Sequence, residues 1–218
     1  MPDLRQPAAP QAVVGHVFVV EDEAAVRGSL ALLLQLHGYA TREYASAEDF
    51  LREPPPYEGP ACALVDIRLP GMSGLALQAR MVREERAPPV LLMTAQGDAT
   101  VARTALLQGA SDFLEKPIDP QELFPAVEMA LRTDTAQRLA RAEDDSLRAR
   151  FASLTRRERE LFDSITSGRQ VREIAEQYGL LHAELEAQRL RLMEKLQAQR
   201  LADLFRLRFR LDERGARR

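Results

Sequence analysis

ACALVD (residues 61–66) is a short apolar run that ends on a carboxylate. A run of this length, with no polar alternation, predicts a strand buried on both faces, as in a parallel sheet. Three further runs resemble it. HVFVV (16–20) is followed at once by Glu21 and Asp22, PVLLMT (89–94) ends on Thr94, and DFLEKP (112–117) carries Lys116. Segments of helical periodicity lie between and after them. AAVRGSLALLLQLHG (24–38) spaces its leucines for one helix face and stops at Gly38. SGLALQARMVRE (73–84), DATVARTALLQG (98–109) and DPQELFPAVEMALR (119–132) follow the remaining strands. In the last of these Asp119 is placed as N-cap, Pro120 at the first helical position and Glu122 two residues on. Pro125 inside it predicts a lost hydrogen bond or a kink. Alternating strand and helix predicts an α/β doubly wound parallel sheet.

In such a sheet the functional crevice lies outside the carboxyl ends of the strands. The residues at those ends are Glu21, Asp22, Asp66, Thr94 and Lys116. Three carboxylates brought together raise one another's pKa unless a cation compensates them. Oxygen-only donors suit a hard divalent ion, most naturally Mg²⁺. With Lys116 as a second positive group, the set suits a carboxylate that accepts a phosphoryl group, its charge neutralised by the metal and the ammonium. Thr94 is placed to hydrogen-bond a phosphoryl oxygen.

The chain has 218 residues, enough for one large or two smaller domains, with 45% hydrophobic and 29% charged residues. The lone Cys62 excludes an internal disulfide framework and a cysteine-based zinc cluster, and its apolar context predicts a buried small hydrophobe. No apolar run reaches the ~18 residues of a membrane span. The start MPDLRQPAAPQ lacks the order of a signal peptide, so residues 1–13 are expected to be a flexible tail and the protein cytoplasmic. The net charge of −3 conceals an asymmetry. Residues 146–218 hold 17 basic against 11 acidic side chains, a net of +6, and the rest 13 against 22, a net of −9. That split points to two modules, the second facing an anion or simply built of solvated arginine-rich helices.

VVEDE, LVDIRLPGMSG, LMTAQGD and DFLEKP together resemble the receiver domain of two-component response regulators, over about residues 14–132. The resemblance implies a five-stranded fold, Asp66 as phosphoacceptor, and Glu21, Asp22 and the Arg68 backbone beside Asp66 at the metal. Glu21 stands where Asp is commoner in that family. Thr94 and Phe113 match the family's switch pair, in which the hydroxyl moves to the phosphate and the ring turns inward; plain core packing is the other reading of Phe113. Lys116–Pro117 matches a peptide bond that is usually cis. A sensor histidine kinase is the implied phosphodonor. Phosphatases of the haloacid dehalogenase type also use carboxylates, Mg²⁺ and lysine, but they place two acids as Asp-x-Asp after the first strand. Here those acids are adjacent and the lone Asp66 follows a later strand, which favours a phosphoacceptor switch with at most self-catalysed turnover over a true enzyme.

Residues 133–153 are polar and rich in alanine and arginine, which predicts a partly helical linker. After it, Thr155 with Glu158 forms a capping box, Leu154, Leu161, Phe162 and Ile165 form one apolar face, and Gly168 ends the helix. VREIAEQYG and LLHAELEAQRLRLMEKL supply two more helices. LTRRERE, VREIA and EKL resemble the LuxR-type helix-turn-helix of the FixJ/NarL group, over about residues 150–207 of an all-α unit assigned to 154–218. The resemblance implies a transcription factor that dimerises when phosphorylated.

The recognition helix departs from its relatives. At 100° per residue Leu181, Leu185, Gln188, Leu192 and Leu196 share the expected core face. The opposite face, which the family lays in the major groove, carries Ala183, Glu184, Glu186, Ala187, Leu190 and Glu194, with Arg191 at its margin. DNA affinity rests on basic side chains at phosphates, and three glutamates oppose it. Arg156, Arg157, Arg169, Arg172 and Arg191 remain to hold a DNA backbone. Two outputs stay open: transcriptional control through this domain, or signalling through dimerisation or protein partners by a domain that has lost its DNA face. Residues 180–214 also contain no proline and, after Gly179, no glycine. Either the last two helices fuse into one that exposes Leu190, Leu201, Leu204 and Leu207, or the usual four-helix arrangement persists.

Overall fold

A computed structural model describes residues 15–52, 57–84, 87–94 and 109–215. The tail expected at 1–13 and almost all of the helix expected over 98–109 lie outside these residues. The chain separates into two compact units, Met1–Arg138 and Leu139–Arg218.

The first unit is built on β1 (His16–Val20), β2 (Ala40–Tyr44), β3 (Ala61–Asp66), β4 (Val90–Thr94) and β5 (Asp112–Glu115). These pair in the order β2-β1-β3-β4-β5, every pair parallel. Three strands are central and apolar, and all six residues of β3 are buried. α1 (Ala24–Leu36), α2 (Ala47–Arg52), α3 (Gly74–Val82) and the first part of α4 (Pro120–Ala152) complete the described helices of this unit. Val17, Leu34, Leu64, Leu91, Leu123 and Val127 anchor one apolar layer. Phe18, Ala63, Val65, Leu77, Met81 and Leu92 anchor another. The alternation of strand residues between the two layers follows from the period of two along a strand. Cys62 is fully buried, and burial pushes its thiol pKa far above the ordinary value.

β2 and α2 have no counterpart among the runs read from the sequence. β2 is an edge strand, with Arg42 and Glu43 exposed, so it lacks the apolar run that marks its neighbour β1. α2 has only six residues, too few for a periodic signal.

The segment expected as a partly helical linker, residues 133–153, is continuous with the helix before it. α4 runs without interruption from Pro120 to Ala152, through Pro125, and the division between the two units falls inside it. Asp119 caps its start, accepting the Gln121 N–H at 2.8 Å. Each part of the helix has a reason to persist past Arg132. Asp134 is fully buried and accepts the Ala61 N–H at 2.8 Å and the Arg138 Nε–H at 2.6 Å. In the second unit Leu147 is buried and Phe151 packs edge-on against Phe162.

The second unit adds α5 (Arg156–Thr166), α6 (Val171–Tyr178), α7 (His182–Leu196) and α8 (Leu201–Gly215). Leu154, Leu161, Phe162, Ile165, Ile174, Leu185, Leu192 and Leu196 form its core. The capping box is present: the Thr155 hydroxyl accepts the Glu158 N–H, and the Glu158 carboxylate accepts the Thr155 N–H. Gly168 and Gly179 take the left-handed conformation after α5 and α6.

One expectation for α7 is corrected, and the open choice at its end is decided. Leu181 is 73% exposed, because it is the residue before the first turn and lies outside the helix. The last two helices do not fuse. Gln197 adopts the left-handed region at φ 55°, its N–H donates to Glu194 O, and the Ala198 N–H donates to Met193 O at 2.8 Å. That conformation costs a non-glycine residue roughly 1–2 kcal/mol. Burial of Ala198 and Leu204 offsets it, Asp203 caps the new helix by accepting the Gln199 and Arg200 N–H groups, and Arg150 donates to Leu196 O and Gln197 Oε1. Leu204, which a fused helix would have exposed, is fully buried, and Leu207 packs against the core. Among the described residues no helix is long and apolar enough to cross a membrane.

Candidate functional site

The strand order reverses between β1 and β3, which opens a crevice at their carboxyl ends. Glu21, Asp22 and Asp66 meet there, with one carboxylate oxygen from each inside a span of 4.8 Å. Lys116, just past β5, reaches both buried acids: its Nζ lies 2.6 Å from Asp66 Oδ2 and 2.7 Å from Glu21 Oε2. The Lys116 N–H donates to Thr94 O at 2.8 Å, so the ends of β4 and β5 set the base of that side chain. The peptide bond between Lys116 and Pro117 is cis.

Burial is graded across the site. Glu21 and Asp66 are 1% and 6% exposed, whereas Asp22 is exposed. Burial raises the pKa of Glu21, the Lys116 hydrogen bond opposes that rise, and the Asp66 charge adds to it. Burial also disfavours the Lys116 ammonium, but the hydrogen bonds to Asp66 and Glu21 outweigh it and hold its pKa above the ordinary value. Three carboxylates and one ammonium leave two uncompensated negative charges. All-oxygen donors carrying that charge fit Mg²⁺, and exposed Asp22 gives it a way in.

The loop after β3 is shaped around Asp66. The Arg68 N–H donates to Asp66 Oδ1 at 3.0 Å, which sets the Arg68 peptide beside the carboxylate. Gly74 opens α3 so close to β3 that a β-carbon there would lie 2.1 Å from the Asp66 carbonyl oxygen. Gly71 has φ +74°, and Glu48 accepts the adjacent Met72 N–H at 2.8 Å. Arg27 donates to the carbonyls of Glu21 and Asp22 at 2.7 and 3.2 Å. Neither Glu48 nor Arg27 carries a signal in the sequence: Glu48 serves a loop 24 residues on, and Arg27 folds back onto the carbonyls just before its own helix. Gly71 and Gly74 do have a signal, the two glycines of PGMSG.

Thr94 is 3% exposed at the end of β4, one residue beyond the register pair Asp66–Met93. Phe113, opposite Leu92 on β5, is 36% exposed, so its ring is not in the core here.

In the second unit α6, Gly179 and α7 form a helix-turn-helix. Two of the three glutamates on α7 are engaged locally. Glu184 accepts the Leu181 N–H at 2.9 Å, and Glu186 pairs with Arg189 at 2.6 Å. Glu194 is exposed, as are Leu190 (60%) and Arg191. Arg156 and Arg172 pair with Glu160 and Glu176 one turn along their own helices, and Arg169 donates to Gln177. Arg157 is exposed.

Sequence models match both units: "Response regulator receiver domain" over residues 17–128 and "Bacterial regulatory proteins, luxR family" over 152–207. The transcriptional regulatory protein FixJ of Bradyrhizobium diazoefficiens is 35% identical over 196 residues, covering 90% of this chain and 95% of that protein. The solved response regulator StyR aligns with a TM-score of 0.77 at 33% identity, covering 90% and 98% of the two chains. Full-length FixJ from B. japonicum aligns at 0.55 and 35% identity, covering 91% and 97%.

Proposed function

This chain belongs to the FixJ type of two-component response regulators, and we propose that Asp66 accepts a phosphoryl group from a sensor histidine kinase to switch transcription through residues 154–218. The observation that carries this reading is Lys116 Nζ held between Asp66 and Glu21, beside the open carboxylate of Asp22. An Asp66 carboxylate oxygen attacks phosphorus, the bond from phosphorus to the histidine nitrogen breaks, and the imidazole leaves. Glu21, Asp22, Asp66 and the Arg68 backbone would hold Mg²⁺, which supplies charge neutralisation at the phosphoryl oxygens. Lys116 offers its ammonium to the same oxygens, and Thr94 its hydroxyl. The Phe113 ring, exposed at rest, turns inward as Thr94 moves. The phosphorylated protein dimerises, acts in the cytoplasm, and holds DNA phosphates through Arg156, Arg157, Arg169, Arg172 and Arg191. The ion pairs of Arg156 and Arg172 are solvent-exposed, so exchanging them for phosphate costs little.

The rival output, protein contacts alone, has less behind it. Glu184 and Glu186 are engaged within their own helix, and the relatives carry the names of transcriptional regulators. The deciding experiment supplies a radiolabelled small phosphodonor with Mg²⁺. The parent chain becomes labelled through a hydroxylamine-labile acyl phosphate, and Asp66→Asn does not; equal labelling of both chains contradicts the assignment.

A further inference from the structure

We infer that Ala183, Ala187 and Leu190 read the 5-methyl groups of thymine in the major groove, so the half-site is chosen by apolar contact. The inference rests on the DNA-binding reading above and assigns the specificity of that site.

The second helix of a helix-turn-helix lies in the major groove with its N-terminal residues at the base edges. α7 buries Leu185, Leu192 and Leu196 on one side. At 3.6 residues per turn, Ala183, Ala187 and Leu190 fall within about 60° of one another on the opposite side. Leu190 is 60% exposed, and both alanines are exposed. Glu194, one turn beyond Leu190 on the same face, and Arg191 at its margin are exposed, and other polar groups around the strip are engaged elsewhere. Glu184 holds the Leu181 N–H, Glu186 and Arg189 hold each other at 2.6 Å, and Lys195 is bound to Glu158 at 2.7 Å.

The strip itself contains none of the side chains that read guanine or adenine by hydrogen bonds, namely Arg, Lys, Asn and Gln. The thymine methyl is the apolar feature of the major groove, and alanine and leucine suit it. Charge selects DNA over a protein as the occupant. Residues 146–218 carry a net +6, and Arg191 borders the strip. One leucine and two alanines also make an area far smaller than the roughly 1,000 Å² a stable protein interface needs.

The test uses the full-length chain, phosphorylated by a small phosphodonor with Mg²⁺. Binding sites are selected from a pool of random duplexes, and each thymine of the selected site is then replaced by deoxyuridine, which removes only the methyl. Affinity should fall about fourfold at each methyl that is read, the effect of about 0.8 kcal/mol for one buried methyl-sized group. Leu190→Ala should abolish that penalty at the thymine it contacts and leave the melting temperature unchanged. Unchanged affinity for every deoxyuridine site overturns the inference, as does a full penalty retained in Leu190→Ala. If selection enriches no sequence, the DNA-binding reading falls and the inference with it.

Discussion

The Lys116 ammonium is shared by two buried carboxylates, 2.6 Å from Asp66 and 2.7 Å from Glu21, while Asp22 stays outside this contact and exposed. The arrangement separates a group that neutralises charge from one that admits the metal. Asp22→Ala should therefore weaken Mg²⁺ binding at least tenfold, the effect of about 1.4 kcal/mol, and slow phosphorylation. Lys116→Ala should leave Mg²⁺ binding in place or tighten it, because a competing cation is gone, while blocking the response to phosphorylation. Mg²⁺ titration followed by NMR or calorimetry on both variants distinguishes the roles. Equal Mg²⁺ affinity in the parent and Asp22→Ala contradicts the assignment.

Phosphorylation should convert monomer to dimer. The resemblance to receiver domains implies a surface near residues 98–131, which lies in part outside the described residues but includes Met129, 63% exposed on α4. Light scattering at micromolar protein should show the mass doubling on phosphodonor addition. Thr94→Ala should be labelled yet fail to double, since the hydroxyl proposed to bond the phosphoryl oxygen is gone. A phosphorylated parent chain of unchanged mass contradicts the dimer.

Gly74 leaves no room for a side chain: a β-carbon would lie 2.1 Å from Asp66 O and 2.9 Å from Asp66 C. Both neighbours are backbone, so relief requires α3 to move away from Asp66. Gly74→Ala should cost on the order of 1–3 kcal/mol of stability and slow phosphorylation of Asp66. Thermal unfolding with parallel labelling checks both effects. A parent-like melting temperature and rate contradict the close approach.

Glu21, Asp22, Asp66 and Thr94 were legible because each ends or follows a short apolar run, Lys116 because it follows a short strand, and a parallel sheet gathers such ends by topology alone. What the sequence conceals depends on pairing at a distance. Glu48 bonds a loop 24 residues on, and nothing local marks it. β2 is an edge strand whose polar residues carry no strand signature. Gln197 takes a conformation that glycine would have announced, held by Arg150, 47 residues away. α4 continues past Arg132 because Asp134 finds a buried backbone donor that no periodicity reveals.

Asp134 thus makes a prediction of its own. It is fully buried, its carboxylate accepts the Ala61 N–H and the Arg138 guanidinium, and Arg138 covers the Tyr57 ring at 4.6 Å. Asp134→Ala leaves a buried N–H without its acceptor and should cost about 1–3 kcal/mol. Asp134→Asn keeps an acceptor but loses the charge facing Arg138, and should fall between the two. Denaturant unfolding ranks the three proteins; an alanine variant as stable as the parent contradicts the role.

Glu158 ties the recognition helix to its neighbour. Its carboxylate accepts the Thr155 N–H at the start of α5 and pairs with Lys195 near the end of α7 at 2.7 Å. The Lys195 hydrogen bond first, and the Thr155 N–H second, hold its pKa below the ordinary carboxylate value. A folded-state pKa below the unfolded one means stabilisation that is complete above the unfolded value and is lost as pH falls through the folded value. The site is largely solvated, so the effect is modest. Glu158→Gln should cost about 0.5–1 kcal/mol at neutral pH, in the range of a lost helix cap. That difference should shrink as pH drops below the ordinary carboxylate range, where the parent's own Glu158 becomes protonated. Lys195→Ala should move the pH at which the stabilisation disappears upward, toward the unfolded carboxylate value. Unfolding curves across an acid series measure all three. A gap between parent and Glu158→Gln that stays constant to the lowest pH at which both remain folded contradicts a charged clamp and leaves only the packing of the side chain.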